Sequence, residues 1–300
     1  AVGPVAHASL EQHSPEARAL LDAYAAGVNA WLADHPKPLE CTLLNYEPKP
    51  WKPADSVVVW KGLAFQLSWG WRAGLFAEAI AHRFADAPEK ARALLATEER
   101  LRAEPSNGTN AGKLLDVLEG VAGPRGPSTA GLGGSNAWAL APSRTVSGRP
   151  IVCGDPHLPF RAPASGYLAH LTGGDFDVAG WTVPGVPGVF MGHNAHVAWA
   201  ITNGAAQDAT WARERLRTAD DGLRLVKTAD DWAPVQAEDC DIEVKGRATP
   251  QHRTLAFTDN GPLFGGHLAR LDDDTGLALR WTGHLASADV DVMLSMNRAK

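Results

Sequence analysis

Residues 133–138 of this 300-residue chain read Gly133-Gly134-Ser135-Asn136-Ala137-Trp138. A glycine-rich run passes straight into a strand-like segment whose first residue carries a hydroxyl. Glycine reaches backbone conformations closed to other residues. That freedom is what Ser135 Oγ needs to attack the carbonyl of Gly134 and sever the chain. The cut would leave Ser135 with a free α-amine, whose unperturbed pKa is about 7.7–8.0. Such an amine can act as general base for the hydroxyl of its own residue, the N-terminal variant of serine catalysis. Taken alone, the segment reads more simply as a glycine-rich turn before a strand with an incidental serine.

Other polar clusters follow. Ser143-Arg144-Thr145-x-Ser147-Gly148-Arg149-Pro150 reads as a tight turn between strands, and Gly154-Asp155-Pro156-His157-Leu158 follows an apolar strand. Pro184-Gly185-Val186-Pro187-Gly188 leads into Gly192-His193-Asn194, then Val197-Ala198-Trp199-Ala200-Ile201-Thr202-Asn203-Gly204. Asp155, His157, His170, His193 and His196 offer a competing set for a zinc hydrolase. His193-x-x-His196 has no Glu between its histidines and sits in a Gly/Asn-rich turn, so each histidine reads more simply as a surface or satisfied one. A non-catalytic binding module is a third reading.

These residues need elements to carry them. The chain is 45% hydrophobic and 21% charged, with 30 Gly and 21 Pro: a globular, turn-rich composition. Net charge is −6 with no basic block, which argues against a nucleic-acid partner. No apolar run reaches the ~18 residues of a membrane span. The three cysteines, Cys41, Cys153 and Cys240, share no CxxC spacing and read as buried small apolar residues. The eleven Trp read as packing anchors. No GxGxxG or GxxxxGK[ST] supports a nucleotide fold.

Residues 1–102 read as helical. Ser14-Pro15-Glu16 is a helix start, and Leu20, Leu21, Tyr24, Val28, Trp31 and Leu32 recur at helical spacing until Pro36. Pro48, Pro50, Trp51 and Pro53 mark an extended connection. Further helices are expected from Asp55, over Ala73–Phe84 and over Glu89–Leu101. Residues 103–134 form a Gly/Ser/Thr/Asn/Pro-rich linker. From Ser135 onward the chain reads as short strands: Asn136–Leu140, Pro150–Cys153, Tyr167–Leu171, Phe176–Thr182, Val189–Met191, Val197–Thr202, Leu223–Val226, Asp241–Val244, Thr254–Phe257 and Leu277–Trp281. Helices followed by strands predict an α+β architecture with a mainly antiparallel sheet.

In their order, these segments resemble the penicillin acylase (penicillin amidase) family of N-terminal nucleophile hydrolases. Its pattern is Gly-Ser-Asn-x-Trp, Ser-Arg-Thr-x-Ser-Gly-x-Pro, Asp-Pro-His-Leu, Pro-Gly-x-Pro-Gly, Gly-x-Asn and Trp-x-x-Thr-Asn. Upstream, Tyr46-x-Pro48-x-Pro50-Trp51-x-Pro53-x-Asp55-Ser56 also looks like a family segment. The resemblance covers most of the chain and is weakest over 212–285.

The resemblance implies an αββα sandwich, here incomplete, preceded by a helical N-terminal segment. It implies autocleavage at Gly134–Ser135, so that 1–102 is the helical part of an α chain, 103–134 a spacer and 135–300 the first part of a β chain. The two chains stay together as a heterodimer. Ser135 is the nucleophile, His157 stands near its amine and the oxyanion site, and the N–H of Asn203 donates to the oxyanion. Donors aimed at developing charge are typically worth ~2.7–4 kcal/mol each. A further oxyanion Asn falls beyond Lys300, so the chain reads as a fragment truncated at both ends. Leu158, Met191 and Ile201 fall where the family lines its acyl pocket, and Tyr167 falls where some members place a substrate-binding aromatic near the nucleophile.

The implied reaction is hydrolysis of an amide in an N-acylated small molecule, β-lactam-type or related, or in an acyl-homoserine lactone or lipopeptide. No cofactor is implied for the chemistry. A structural calcium is a family feature. An ungapped reading puts Gln207 and Thr210 where the family has two Asp, and Asp208 substitutes only with a shift. The implied location is periplasmic or secreted.

Overall fold

The computed structural model describes residues 2–68, 70–71, 74, 84, 86–95, 135–158, 162–174, 176–204, 206–264 and 274–300. Gly134, the 103–134 linker, most of the expected Ala73–Phe84 helix and the end of the Glu89–Leu101 helix lie outside them. The chain divides into two compact units: one of Val2–Phe65, Gly126–Gly204 and Leu285–Lys300, the other of Gln66–Arg125 and Ala205–His284. These spatial units cut across the expected linear division into 1–102, 103–134 and 135–300.

The first unit begins with α1 (Val2–Gln12), α2 (Pro15–Asp34), α3 (Leu39–Leu43) and most of α4 (Pro53–Leu67). In α2, Ser14 Oγ accepts the Ala17 N–H at 3.1 Å and Pro15 opens the first turn. Ala17, Leu21 and Ala25 recur every fourth residue and are buried. Ala17 and Leu21 pack with Val57 of α4, Val183, Val186, and Val290 and Met293 of a late helix, α6 (Asp289–Asn297). The extended Trp51 segment is clasped by one carboxamide: Asn29 Oδ1 accepts Trp51 N–H at 2.7 Å and Asn29 Nδ2 donates to Trp51 O at 2.9 Å.

Helix α1 lies within the region read as helical, though its bounds were not read from the sequence: it buries Ala6, Ser9 and adjoining His13 rather than large apolar residues. Those small and polar groups seat the start of α6. Ser9 Oγ accepts Ser287 N–H at 3.2 Å, and His13 Nε2 accepts Val290 N–H at 3.2 Å. Lys61 of α4 is only 2% exposed. Its ammonium donates to Leu285 O at 3.1 Å and Ser287 Oγ at 2.8 Å, with Asp289 Oδ2 at 3.4 Å. These partners offset the desolvation of a buried charge.

The same unit holds two sheets. β1 (Ser135–Leu140) pairs antiparallel with β2 (Ile151–Pro156). The second sheet runs β3 (Tyr167–Gly173), β4 (Phe176–Thr182), β5 (Met191–His193) and β6 (Ala198–Trp199) in order. The strand expected over Val197–Thr202 contracts to β6, and that expected over Val189–Met191 starts later, because Val189 is held by α6 instead of a neighbouring strand.

The second unit contains α5 (Pro88–Leu95) and a seven-stranded antiparallel sheet, ordered β10-β11-β12-β13-β7-β8-β9. Its strands are β7 (Ala209–Thr218), β8 (Arg224–Lys227), β9 (Trp232–Pro234), β10 (Gln236–Ile242), β11 (Gln251–Thr258), β12 (Gly261–Phe264) and β13 (Thr275–Trp281). β7, β9 and β12 are additions to the expected strands, and β10 lies earlier than the expected Asp241–Val244. Glu214 of β7 is buried and accepts from Thr258 Oγ1 at 2.7 Å and Asn260 Nδ2 at 3.0 Å.

The architecture is α+β, as the sequence reading expects. The tryptophans divide: Trp71 and Trp281 are buried, whereas Trp31 and Trp138 are 46% and 48% exposed. Among the described residues no helix is long and apolar enough to cross a membrane. The three cysteines are unpaired and half-buried, short of the full burial expected.

Candidate active site

Ser135 is the first residue of β1, and its Cα partner across the pair is Pro156, next to His157. Directly opposite residues share a face of an antiparallel pair, as do residues two apart along a strand. Ser135, Ala137 and Ala139 therefore share one face with Pro156, Gly154 and Val152. A Cβ built on Gly154 would stand 2.9 Å from Ala200 Cβ and 3.7 Å from Met191 Sδ. The Ser135 face thus turns toward Met191, and the absence of a side chain at Gly154 permits the approach.

Thr202, three residues past β6, completes the approach, its Oγ1 donating to the Ser135 carbonyl oxygen at 3.4 Å. Asn203, the next residue, is exposed. Ile201 and Met191 are half-buried, while Leu158 and Tyr167 are exposed. Met191 opens β5, and Ile201 and Asn203 follow β6, in the same unit as Ser135.

His157 sits differently. Its Nε2 lies 3.0 Å from Asp155 Oδ2 and 3.3 Å from Asn136 Nδ2. Asn136 and Asp155 are opposite partners, so the imidazole joins the face of the hairpin away from the Ser135 side chain. His157 itself follows Pro156, the Cα partner of Ser135, at the same end of the hairpin.

Tyr24 of α2 reaches this region through the β4–β5 connection, its hydroxyl oxygen accepting Gly185 N–H at 3.0 Å. Burial raises the Tyr24 pKa above the usual tyrosine value, the Gly185 hydrogen bond opposes this, and nearby Tyr167 adds to the rise.

The zinc set is not assembled. His157 pairs with Asp155, His170 Nε2 with Asp177 Oδ1 at 2.8 Å, and His193 Nδ1 lies 3.3 Å from Asn194 O. Among the described residues no three His, Cys, Asp or Glu side chains gather as a metal site. Asp208 Oδ1 accepts from Ser68 Oγ at 2.6 Å in the second unit, with no carboxylate cluster beside it among those residues. Sequence reasoning missed the Thr202 bond to Ser135, the Gly154–Ala200 approach and Asp155 as partner of His157. The Asp-x-His spacing was the available signal for the last.

Comparison with known proteins places the chain in a class. The family model described as penicillin amidase matches residues 2–300, and the chain belongs to that family. It is 35% identical over 275 residues to penicillin acylase 2 proenzyme of Pseudomonas sp. (strain SE83), covering 87% of this chain and 34% of the relative. It is 28% identical over 308 residues to acyl-homoserine lactone acylase QuiP of Pseudomonas aeruginosa, covering 96% of this chain and 36% of the relative. The chain thus spans about a third of these relatives' length. A thermostable penicillin G acylase from Alcaligenes faecalis is similar in structure, with TM-score 0.46 and 24% identity over 54% of this chain and 29% of that one.

Proposed function

We propose that this chain is part of an acylase that hydrolyses the amide of an N-acylated small molecule, β-lactam-type or related, after cutting its precursor at Gly134–Ser135. The observation that supports this most is the place of Ser135 at the start of β1, on the hairpin face whose Gly154 faces Met191 and with Thr202 Oγ1 on its carbonyl oxygen, in a chain of the penicillin amidase family.

In this mechanism mature Ser135 Oγ attacks the amide carbonyl, and its proton passes to its own α-amine, directly or through a water. The Asn203 N–H and the His157 region hold the tetrahedral oxyanion. Collapse breaks the C–N bond, the leaving amine takes the proton, and the acyl group stays as an ester on Ser135. Water, deprotonated by the same α-amine, then releases the acid. Leu158, Tyr167, Met191 and Ile201 receive the acyl group. The α and β chains remain a heterodimer, in the periplasm or outside the cell.

The second named relative supports an alternative substrate for the same chemistry, an acyl-homoserine lactone; a lipopeptide is a related alternative. An acyl-length series of chromogenic amides, run beside acyl-homoserine lactones on the full-length protein, separates the substrates. Turnover of either class by wild type and none by Ser135→Ala is the expected result. Equal turnover by Ser135→Ala overturns the mechanism.

A further inference from the structure

The connection between β4 and β5, Val183–Phe190, is gripped from three helices. Tyr24 of α2 accepts the Gly185 N–H at 3.0 Å. On the α4 side, a Cβ at Gly185 would lie 3.1 Å from Val59 Cγ2, and the Trp60 ring meets Phe190 edge-on at 5.6 Å. The third grip comes from α6. Asn297, its last residue, is 3% exposed. Its Oδ1 accepts Val189 N–H at 2.8 Å and its Nδ2 donates to Val189 O at 2.8 Å. One carboxamide thus satisfies both main-chain groups of a fully buried residue, as a neighbouring strand would.

Gly188 must be glycine for this to form: its φ is +94°, and a Cβ there would stand 3.0 Å from both Asn297 Oδ1 and Met293 Cε. Asn297 is itself held, since Asn194 Nδ2 donates to Asn297 O at 3.1 Å and to Ala299 O at 2.8 Å. Two residues beyond Val189 the chain becomes Met191, whose sulfur faces Gly154 of β2 on the Ser135 side of the hairpin.

We infer that Asn297 is a positioning residue for acyl-chain selection: it sets the depth of the acyl pocket by fixing Val189, and through it the side chain of Met191. This rests on the reading of Met191 as an acyl-pocket residue. Asn297 touches no substrate; it acts by where it puts Met191. Without the clasp, the connection loses its α6 anchor while the Tyr24 and Phe190 grips remain. The result is a displaced pocket wall in a folded protein.

The test uses the full-length, processed protein and a calorimetric series of straight-chain acids from butanoate to dodecanoate, which as products of the proposed reaction bind without turnover. Met191→Ala, Asn297→Ala and the double variant are compared. Expected is a change in best-bound chain length in the same direction for both single variants, with about tenfold altered affinity at the old optimum. The double variant should move no further than Met191→Ala. Asn194→Ala, which loosens Asn297 from a half-buried position, should give a smaller shift the same way and serves if Asn297→Ala does not fold. Weakening equal at all lengths, an unchanged profile, or no acid binding overturns the inference. The same amide series on the active enzyme separates the two claims. Amide turnover with an unmoved profile sinks the clasp alone, whereas a moved profile without amide turnover sinks the acylase reading alone.

Discussion

The β1–β2 hairpin and the seven-stranded sheet are both antiparallel, yet they are secured in opposite ways. β13 buries Gly276, Leu277, Ala278, Leu279 and Trp281, whereas no residue of β1 or β2 is buried. The sheet rests on apolar area removed from water, worth about 25 cal/mol per Å². The hairpin rests on its own ladder, the Gly154–Ala200 approach and the Thr202 bond to Ser135. A region held by geometry more than by burial can lose function without losing stability, and the sheet should do the reverse.

The largest expected effect follows directly. Ser135→Ala should stop chain cleavage and lower turnover by about 10⁶-fold, the scale of losing a nucleophile, with an unfolding midpoint matching that of a cleavage-blocked control. Next, Leu216→Ala or Leu279→Ala in the sheet should destabilise by about 2–5 kcal/mol, read by denaturant unfolding, whereas exposed Ile151→Ala in β2 should cost well under half of that. Equal losses would erase the contrast between the regions. Glu214→Ala strands the Thr258 and Asn260 donors and should cost about 1–3 kcal/mol.

His157→Ala should reduce turnover by about tenfold with little change in midpoint; a matching fall in stability would make His157 structural. The smallest effect concerns His252, whose pKa is raised by its hydrogen bond to Asp241 and then by the charge of Asp239. A raised histidine stabilises below its ordinary pKa, and that contribution fades as pH rises through the raised value. The group is exposed, so the readout is an NMR titration: Asp241→Asn should lower the His252 midpoint.

Much of the fold was legible because local signals and tertiary structure agreed. Ser14-Pro15-Glu16 opens α2, and Phe176–Thr182 is β4 as read. β7 was not legible, since Arg213, Glu214, Arg215 and Arg217 mimic a solvated helix and only the Thr258 and Asn260 partners explain a strand with a buried carboxylate. The bounds of α1 were hidden because its buried face is Ala, Ser and His. The proposed nucleophile and oxyanion donor were legible as ordered motifs. The face taken by the His157 ring was not, because it depends on the register that puts Asn136 opposite Asp155. The part proposed for Asn297 was not legible, because it depends on a contact 108 residues away in sequence.

The most direct test is the N-terminal sequence of the larger fragment from the purified full-length protein, with intact masses of both fragments. A fragment beginning Ser135-Asn136-Ala137-Trp138, absent from Ser135→Ala, is the predicted result. An active enzyme that remains a single chain, or a fragment beginning at any other residue, would contradict it.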